Sequence, residues 1–396
     1  MTVSEQLAHY PAVVEVDVAA LVANAARMRS FAPKARHLGI VKADAYGHGS
    51  HEVSRALACA GYDILGIAQL AEALDLSSFL KQEGIDGVSI FSWILPVSDE
   101  AAIRQAIEAD IELSVSNLDQ LHLIESQGLP ARIHLKVDTG MGRGGAIPTE
   151  FPALALAASK AKHAKIVGVW SHLARADEAG AEGKRATDLQ IKIFNEAVQA
   201  AVEAGLTGFE RHLTATSGQI WHEDAHFDMV RDGIGLYGLS PDPQNTPSLD
   251  LGLQPVMTLK ADLVQVKRVP RGQTVSYGGQ WVAPTDRWLG LVPLGYGDGI
   301  PRHAAGKGPV SVYTQAGRID THVVGRVCMD QFVIDLGSAE ENEPPARAGD
   351  TVVLFGNPNS KTTPGCPLAD DWAQACGTIN YEIITRLGAR VPRAYS

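Results

Sequence analysis

The chain has 396 residues, of which 45% are hydrophobic and 20% are charged, and its formal net charge is −11. This composition is typical of a folded globular protein of about two domains, and it excludes a disordered or fibrous chain. The acidic balance and the lack of a dense Lys/Arg run argue against binding to nucleic acid or to an anionic membrane surface.

The sequence carries no signal for secretion or membrane insertion. Residues 1–10 lack a basic segment followed by an apolar one, and no apolar run reaches the about 18 residues needed to span a bilayer. The four cysteines form no Cys-x-x-Cys pair and predict neither a disulfide framework nor structural zinc. We therefore expect a cytoplasmic protein.

Short β-branched runs alternate with helical segments from Val13 to about Gly238. The predicted strands are Val13–Val16, His37–Lys42, Ile64–Ile67, Val88–Phe91, Ile111–Val115, Ile133–Val137, Ile166–Trp170 and Arg211–Thr214. The predicted helices include Val18–Arg29, Glu52–Ala60, Leu70–Leu80, Glu100–Ala109, Leu118–Gln127 and Thr187–Ala204. This α/β alternation predicts βαβ units and a parallel sheet. About eight units favour a TIM-type (β/α)8 barrel over residues 1–245, although an open doubly wound sheet has much the same periodicity.

The pattern changes after the turn-rich segment Ser240–Ser248. Strand-like runs separated by Gly and Pro follow at Val256–Val269, Arg287–Pro293, Val310–Tyr313, Thr321–Val327, Phe332–Ile334 and Val352–Phe355. One helix is predicted near Ala369–Ala375. We therefore expect a second, mainly β domain over residues 246–396.

A lysine ends the second predicted strand, in the segment 41–49, VKADAYGHG. An unpaired ammonium is costly to bury, and desolvation lowers the pKa of a lysine toward the neutral, nucleophilic amine. Lys42 could therefore form a Schiff base. Judged by residue type alone, a lysine at such a position is more often a solvated loop residue.

This segment resembles the pyridoxal-phosphate lysine motif of the alanine racemases. Other segments resemble the same family in the same order: LKVDTGMGR at 135–143, SHLARAD at 171–177, VRDGIGLYG at 230–238, VSYG at 275–278, GYGDGIPR at 295–302, VCMD at 327–330 and NYE at 380–382. The resemblance implies a fold-type III pyridoxal-phosphate enzyme, with the cofactor on the barrel and a second catalytic base on the β-rich domain. It also implies a homodimer whose two chains share their active sites.

The implied reaction explains why these residue types are needed. Racemisation removes the Cα proton from one face of an amino acid and returns a proton to the other, while the imine-linked cofactor stabilises the carbanion. By resemblance, Lys42 and Tyr277 are the two bases. A phenol with a pKa of about 10 needs cationic or hydrogen-bonding neighbours to act as a base, and His172 and Arg231 match the family's residues for that task. Arg231 is also expected to face the pyridine nitrogen and to limit transamination.

The resemblance further assigns contacts to the cofactor and the substrate. No Walker loop is present, so the expected phosphate donors are hydroxyls and amides: Tyr46, Ser217, Gly233, Ile234 and Tyr381. Arg143 is expected at the phenolic oxygen of the cofactor, held by Lys136, which is carbamylated in many members. Met329 is expected to give an amide to the substrate carboxylate, with Tyr296 and Arg143 as further substrate contacts.

Two motifs point to other chemistry. Residues 140–145 satisfy GxGxxG, but Ile147-Pro148 leaves little room for the helix that a dinucleotide site requires. Residues 222–226 satisfy the HExxH of zinc peptidases, but Gly218 and Gly233 closely flank them, where that motif needs a long helix. We expect neither a dinucleotide nor a metal.

The favoured function is the interconversion of L- and D-alanine, an isomerase reaction that would supply D-alanine as a peptidoglycan precursor. Three alternatives stay open: a broader-specificity racemase, for instance on serine, a fold-type III decarboxylase, and a non-enzymatic pyridoxal-phosphate carrier. A carrier would have little use for a domain bearing Tyr277 and Met329. One departure from the family is Thr216, which stands where many members have Asn.

Overall fold

The computed structural model describes residues 9–340 and 343–396. Most of the segment 1–10, in which no leader peptide is expected, lies outside the described residues. The chain divides into two compact units. One contains the described residues up to Ala20 together with Tyr46–Gly49 and Gln254–Ser396, and the other contains Leu21–Ala45 and Ser50–Leu253.

The unit that contains Leu21–Ala45 and Ser50–Leu253 is built on a closed barrel of eight parallel strands. The first elements in the described part of the chain are strand β1 (Ala12–Val16) and helix α1 (Val18–Phe31). The barrel strands that follow are β2 (Arg36–Ile40), β3 (Ile64–Gln69), β4 (Ser89–Ile94), β5 (Glu112–Val115), β6 (Ala131–Lys136), β7 (Ala164–Trp170), β8 (Glu210–His212) and β9 (Met229–Asp232). Parallel pairing of β2 with β9 closes the barrel, so the predicted fold class is confirmed and the open doubly wound alternative is excluded.

Helices connect successive barrel strands. They are α2 (Lys42–Gly47), α3 (Ser50–Cys59), α4 (Leu70–Gln82), α5 (Glu100–Glu108), α6 (Leu118–Ser126), α7 (Phe151–Ala158), α8 (Ala181–Glu203) and α9 (Thr216–Trp221). The helices turn apolar side chains to the barrel, which leaves β5 and β9 buried at every position, as expected of a parallel sheet covered on both faces. Within the described ranges, no helix is long and apolar enough to cross a membrane.

The other unit is built on a nine-stranded, mainly antiparallel sheet. Its strands beyond β1 are β10 (Met257–Asp262), β11 (Gln265–Val269), β14 (Arg287–Val292), β15 (Pro309–Thr314), β16 (Gly317–Val324), β17 (Phe332–Ser338), β18 (Thr351–Phe355) and β19 (Arg393–Tyr395). A separate hairpin joins β12 (Thr274–Val275) to β13 (Trp281–Val282), and the two late helices are α10 (Ala369–Cys376) and α11 (Asn380–Thr385). The predicted mainly β character of this region is confirmed.

One predicted barrel strand is wrong, and one barrel strand was missed. Ala12–Val16 pairs with β10 and β19 in the nine-stranded sheet and takes no part in the barrel. The remaining barrel strand is Met229–Asp232, which hydrophobic periodicity does not detect because two of its four residues, Arg231 and Asp232, are charged. Both are buried, at 3% and 0% exposure. Hydrogen bonds to neighbouring side chains compensate for the burial of these charged groups. The proposed domain boundary after residue 245 stays a prediction.

Candidate active site

Lys42 begins a left-handed turn at the carboxyl end of β2. Residues 43–46 all carry side chains, yet their φ angles lie between 51° and 55°, a conformation that costs about 1–2 kcal/mol per residue. The Asp44 amide donates to Glu72 (3.0 Å), and the Asp44 carboxylate accepts from the amide of Ser50 (2.8 Å), so side chains hold this backbone in place. Unfavourable backbone conformations that persist are typical of functional sites.

The amine of Lys42 lies in a desolvated, cationic environment. Its Nζ is 5.7 Å from the ring centre of Trp93. Burial, followed by the positive charges of Arg143 and Arg231, lowers the pKa of Lys42. This is the direction that favours the neutral, nucleophilic amine over the ammonium.

A second lysine amine lies in the same cationic cluster. Lys136 ends β6, with its Nζ 4.4 Å from the ring centre of Trp170. Burial and the charges of Arg143 and Arg231 lower the pKa of Lys136 to about 8. The Asp138 carboxylate accepts from the amides of residues 140–142, which fixes the loop that carries Arg143. The cluster is therefore suited to an anionic ligand.

Arg231 is held by acceptors from two neighbouring strands and the loops that follow them. Its Nη2 donates to the carbonyls of Ser171 and Leu213 and to Nδ1 of His172, each at 2.9 Å. Its guanidinium also lies 5.2 Å from the ring centre of Trp170. Burial, with the nearby charge of Arg143, lowers the pKa of Arg231.

The environment of His172 determines its tautomer. Burial first, and then the charge of Arg231, lowers the pKa of His172 well below its ordinary value, so the ring is neutral. Its Nδ1 accepts from Arg231, which can only donate, and the single ring proton therefore sits on Nε2. His172 thus presents an N–H donor on the side away from Arg231.

Three of the predicted phosphate donors lie together where α9 begins and β9 ends. Ser217 is in the first turn of α9, and Gly233 and Ile234 directly follow β9. Thr216 joins the two segments, because its Oγ1 accepts from the amides of Gly233 (3.1 Å) and Gly235 (3.4 Å). The Gly233 amide already has a protein acceptor, a bond that sequence reasoning did not foresee.

The other two predicted phosphate donors lie in the unit with the nine-stranded sheet. The rings of Tyr46 and Tyr381 are 6.2 Å apart. Burial raises the pKa of Tyr46, so its phenol stays protonated and able to donate. The two rings therefore lie near each other in that unit.

Tyr277 sits in a tight turn of the β-rich unit. The preceding Ser276 has a φ of 62°, and its hydroxyl donates to the carbonyl of Arg326 (2.7 Å). The next residue, Gly278, has a φ of 76°, and a Cβ there would lie 3.1 Å from the Arg326 guanidinium. The turn leaves the Tyr277 side chain 73% exposed, so its phenol is freely accessible.

The predicted substrate contacts Met329 and Tyr296 lie on one pair of crossing loops. The Tyr296 amide donates to the carbonyl of Cys328 (2.9 Å), and the Gly297 amide donates to that of Met329 (2.8 Å). At Gly295, a Cβ would lie 2.3 Å from the carbonyl oxygens of both Cys328 and Met329, so only glycine fits this crossing. Met329 and Tyr277 line the same surface pocket, and Met329 is 55% exposed.

Comparison with known proteins identifies the family. The model for the alanine racemase N-terminal domain matches residues 16–241, and that for the alanine racemase C-terminal domain matches residues 256–395. The chain belongs to the alanine racemase family. An alanine racemase of Beutenbergia cavernae is 46% identical over 393 residues, covering 98% of each protein.

Solved structures of alanine racemases agree with the sequence matches. The enzyme from Streptomyces lavendulae, a D-cycloserine producer, superposes with a TM-score of 0.88 at 40% identity, covering 98% of this chain and 97% of that one. The Bacillus anthracis enzyme with bound L-Ala-P gives 0.85 at 30% identity, covering 98% and 95%. The predicted family and the predicted enzyme class, a racemase among the isomerases, are confirmed, and the broader-specificity alternative is not favoured.

The two other motifs have ordinary structural roles. GxGxxG at 140–145 forms a loop, and the next helix, α7, begins only at Phe151. The HExxH segment begins directly after α9 ends at Trp221 and contains only a short 3₁₀ turn at Glu223–Ala225. Nε2 of His222 donates to the carbonyl of Ala176 (3.2 Å) and Nε2 of His226 to that of Gln219 (2.8 Å), so the two rings do not share a helix face.

Several buried polar residues that support this site were not predicted from the sequence. Gln190 of α8 accepts from the amide of Ala174 (2.8 Å) and donates to the carbonyl of His172 (3.2 Å), so it fixes the loop after β7. Glu112, His134 and His212 lie inside the barrel itself. Each lies within a predicted strand but belongs to no motif, so the sequence does not single it out.

Proposed function

We propose that the chain interconverts L-alanine and D-alanine with pyridoxal 5′-phosphate, using Lys42 and Tyr277 as the two bases. The observation that carries the proposal is the desolvated amine of Lys42 beside Arg143 and Arg231. This amine lies at the carboxyl end of a barrel strand, where (β/α)8 enzymes place their catalytic groups. The relatives support alanine as the substrate, since they bear that name and one of them binds L-Ala-P.

The residues at the carboxyl end of the barrel fit pyridoxal phosphate. Two amines and two guanidinium groups suit a ligand with a phosphate and a phenolic oxygen, and the lowered pKa of Lys42 suits bonding to an aldehyde. When bound, the cofactor withdraws electrons from the substrate Cα and stabilises the carbanion there. Lys42 would hold it, with Arg143 at its phenolic oxygen and Arg231 at its pyridine nitrogen.

The expected phosphate contacts divide into two groups. Ser217, Gly233 and Ile234 lie together in the barrel unit, and Thr216 ties their two segments to each other. Tyr46 and Tyr381 would add hydroxyl donors. Neutral donors of this kind orient a phosphate without further positive charge.

Each base has a defined task. The Nζ of Lys42 would exchange a proton with Cα on one face, which requires the neutral amine that its environment favours. The Oη of Tyr277 would exchange a proton on the opposite face. A phenolate at Tyr277 needs a hydrogen-bond donor, and the Nε2–H of His172 has the tautomer to serve as one.

Arg231 would limit side reactions of the carbanion. A guanidinium only donates hydrogen bonds, so a pyridine nitrogen that faces it must act as an acceptor and stay unprotonated. An unprotonated ring withdraws electrons less strongly. We infer that this limits transamination at some cost in carbanion stability.

Lys136 would support Arg143 as a carbamate. A pKa of about 8 leaves part of the Lys136 population neutral near physiological pH, and the neutral amine is the form that reacts with carbon dioxide. The resulting anion would pair with the Arg143 guanidinium and hold it toward the cofactor. Carbon-dioxide-free buffer should then weaken activity, and added bicarbonate should restore it.

We propose a homodimer in which the partner subunit's Tyr277 and Met329 complete each barrel site. The support in this chain is the exposure of both side chains, 73% and 55%, since exposed large side chains grouped in one pocket often mark an interface. The cytoplasmic location and the supply of D-alanine as a peptidoglycan precursor are part of the same proposal.

Incubation of the cofactor-loaded protein with L-alanine in heavy water tests the reaction. We expect D-alanine carrying deuterium at Cα, because the returning proton comes from a solvent-exchanged base. Carbon dioxide and an amine would indicate a decarboxylase, and cofactor binding without any Cα exchange would indicate a carrier. Either result would overturn the proposal. Parallel incubation with L-serine measures the breadth of specificity.

A further inference from the structure

A continuous line of hydrogen bonds crosses the barrel interior and ends on Arg231. Oε2 of Glu112 is 2.6 Å from Nε2 of His134, and Nδ1 of His134 is 2.9 Å from Nε2 of His212. Nδ1 of His212 is then 3.2 Å from Nη1 of Arg231. All four residues are nearly inaccessible, with exposures of 4%, 0%, 0% and 3% in that order. We call Glu112, His134 and His212 the barrel relay.

The chemistry of the two ends fixes every proton in the relay. At one end, Arg231 can only donate. At the other end, burial alone would raise the pKa of Glu112, but the hydrogen bond from His134 and the charge of Arg132 hold it below its ordinary value, so the carboxylate can only accept. Burial lowers the pKa of His212 well below its ordinary value and keeps that ring neutral.

One arrangement of tautomers satisfies all three bonds. His212 accepts from Arg231 at Nδ1 and donates from Nε2 to Nδ1 of His134. His134 then donates from Nε2 to Glu112. The bonds all run in one direction, from a guanidinium to a carboxylate through two imidazoles.

The packing around the relay leaves its rings no alternative position. The ring centres of Trp170 and His212 are 5.6 Å apart, with an interplanar angle of 4°. The ring centres of Phe91 and His134 are 4.4 Å apart. A Cβ at Gly168 would lie 1.9 Å from Nδ1 of His134, so the backbone of β7 closes the remaining side. A buried polar network that is fully bonded and tightly packed is rigid.

We propose that the barrel relay positions Arg231 and keeps its balancing negative charge remote from the cofactor ring, and so determines the ratio of racemisation to transamination. The inference rests on the proposed function. His212 engages Nη1 while His172 and two carbonyls engage Nη2, which fixes the rotation of the guanidinium. A carboxylate bonded directly to Arg231 would bring a proton-attracting charge to the pyridine nitrogen, whereas the relay places it two imidazoles away.

The variants Glu112→Gln and His134→Gln test the relay in the loaded enzyme. Glu112→Gln keeps the size and a carbonyl acceptor but removes the charge, and His134→Gln interrupts the line of bonds. The matched control is His37→Gln. His37 is also buried in the barrel and bonded to a carboxylate, Asp232 at 2.8 Å, but it lies outside the relay.

The first readout is the pyruvate released per racemisation event. In transamination the amino group of alanine passes to the cofactor aldehyde, which becomes an amine while alanine becomes pyruvate. We expect His134→Gln, which breaks the line of bonds, to raise this ratio about tenfold, the effect of losing one hydrogen bond to a charged group. We expect Glu112→Gln, which keeps an acceptor for His134, to raise it less. We expect His37→Gln to match the wild type. Equal ratios in all four proteins, at equal cofactor content, would overturn the inference.

The second readout does not depend on activity. Nitrogen-15 NMR of histidine-labelled wild-type protein should show His134 and His212 protonated on Nε2 and unprotonated on Nδ1, with and without the cofactor. A proton on Nδ1 of either ring would overturn the inference even if the variants failed to fold. Failure of the proposed function is a separate outcome, because the wild-type protein would then produce no D-alanine whatever its tautomers.

Discussion

The barrel site and the Tyr277 turn position their functional groups in opposite ways. In the barrel, Lys42, His172 and Arg231 are largely withdrawn from water, and their neighbours shift the pKa of each. In the β-rich unit, Tyr277 is 73% exposed, and backbone turns rather than charged neighbours set its position. The neighbours that shift the pKa values in the barrel thus come from the same chain, whereas the base that we propose at Tyr277 would take its neighbours from a partner subunit.

The largest loss of activity is expected from substituting Lys42, whose surroundings lower its pKa. Lys42→Ala removes the amine that we propose holds the cofactor and exchanges the Cα proton, so we expect the rate to fall by at least about 10⁴-fold, the upper range for a general base. Chiral chromatography of alanine and the visible absorbance of the bound cofactor measure the two losses separately. Retention of more than a tenth of the wild-type rate would contradict the assignment.

Substituting the exposed Tyr277 is expected to reduce proton exchange on one face of the substrate Cα. Tyr277→Phe keeps the ring but removes the hydroxyl, and we expect racemisation to fall by about 10²- to 10⁴-fold. Lys42 should still exchange the Cα proton of one enantiomer with heavy water. Deuterium incorporation into L- and D-alanine, measured separately by mass spectrometry, should therefore become strongly unequal. Equal loss for both enantiomers would show that Tyr277 is not a base for one face.

The barrel should also make stability depend on pH. His172 and His212 stay neutral when folded, whereas histidines in the unfolded chain bind protons below about 6.5. The unfolded state then takes up more protons, so the free energy of unfolding should fall with decreasing pH, by about 1.4 kcal/mol per unit for each histidine.

Thermal unfolding between pH 7 and pH 5.5 measures this dependence. His212→Gln should flatten the curve, and His51→Gln, at an exposed histidine outside the barrel interior, is the control for loss of a histidine. An unaltered slope in His212→Gln would contradict a neutral, buried His212.

A smaller effect is expected from packing alone. Gly168→Ala would place a methyl group 1.9 Å from Nδ1 of His134, and we expect overpacking to destabilise the protein by about 1–3 kcal/mol. Gly388→Ala is the control, since its Cβ would meet nothing closer than 3.5 Å. Denaturant unfolding measures the difference in the free energy of unfolding between the two variants. Equal unfolding midpoints would contradict tight packing around His134 in the barrel interior.

The parts of the fold that sequence predicted are those with a local signal. Alternating apolar runs locate seven of the barrel strands, and ordered motifs single out Lys42 and Arg231. The apolar alternation in Val13–Val16 fits a strand in either sheet, because the strand with which it pairs is determined by residues distant in sequence. The left-handed turn at 43–46 runs against the preference of alanine, so no propensity argument finds it.

The barrel relay escaped prediction for a different reason. Glu112, His134 and His212 lie on three different strands, and none of them belongs to a motif. Their relation exists only once the barrel closes and brings the interior faces of β5, β6 and β8 together. Patterns in a single sequence indicate which residues are close along the chain, whereas this network joins residues that are close only in the folded barrel.

Subunit complementation tests the shared two-base site most directly. Lys42→Ala and Tyr277→Phe chains are co-refolded in equal amounts, and hybrid dimers are isolated with two different affinity tags. Half of the dimers in a random mixture are hybrids, and each hybrid has one site with both bases intact, so the mixture should recover about a quarter of the wild-type activity. Hybrid dimers that form but stay inactive at every mixing ratio would contradict the account.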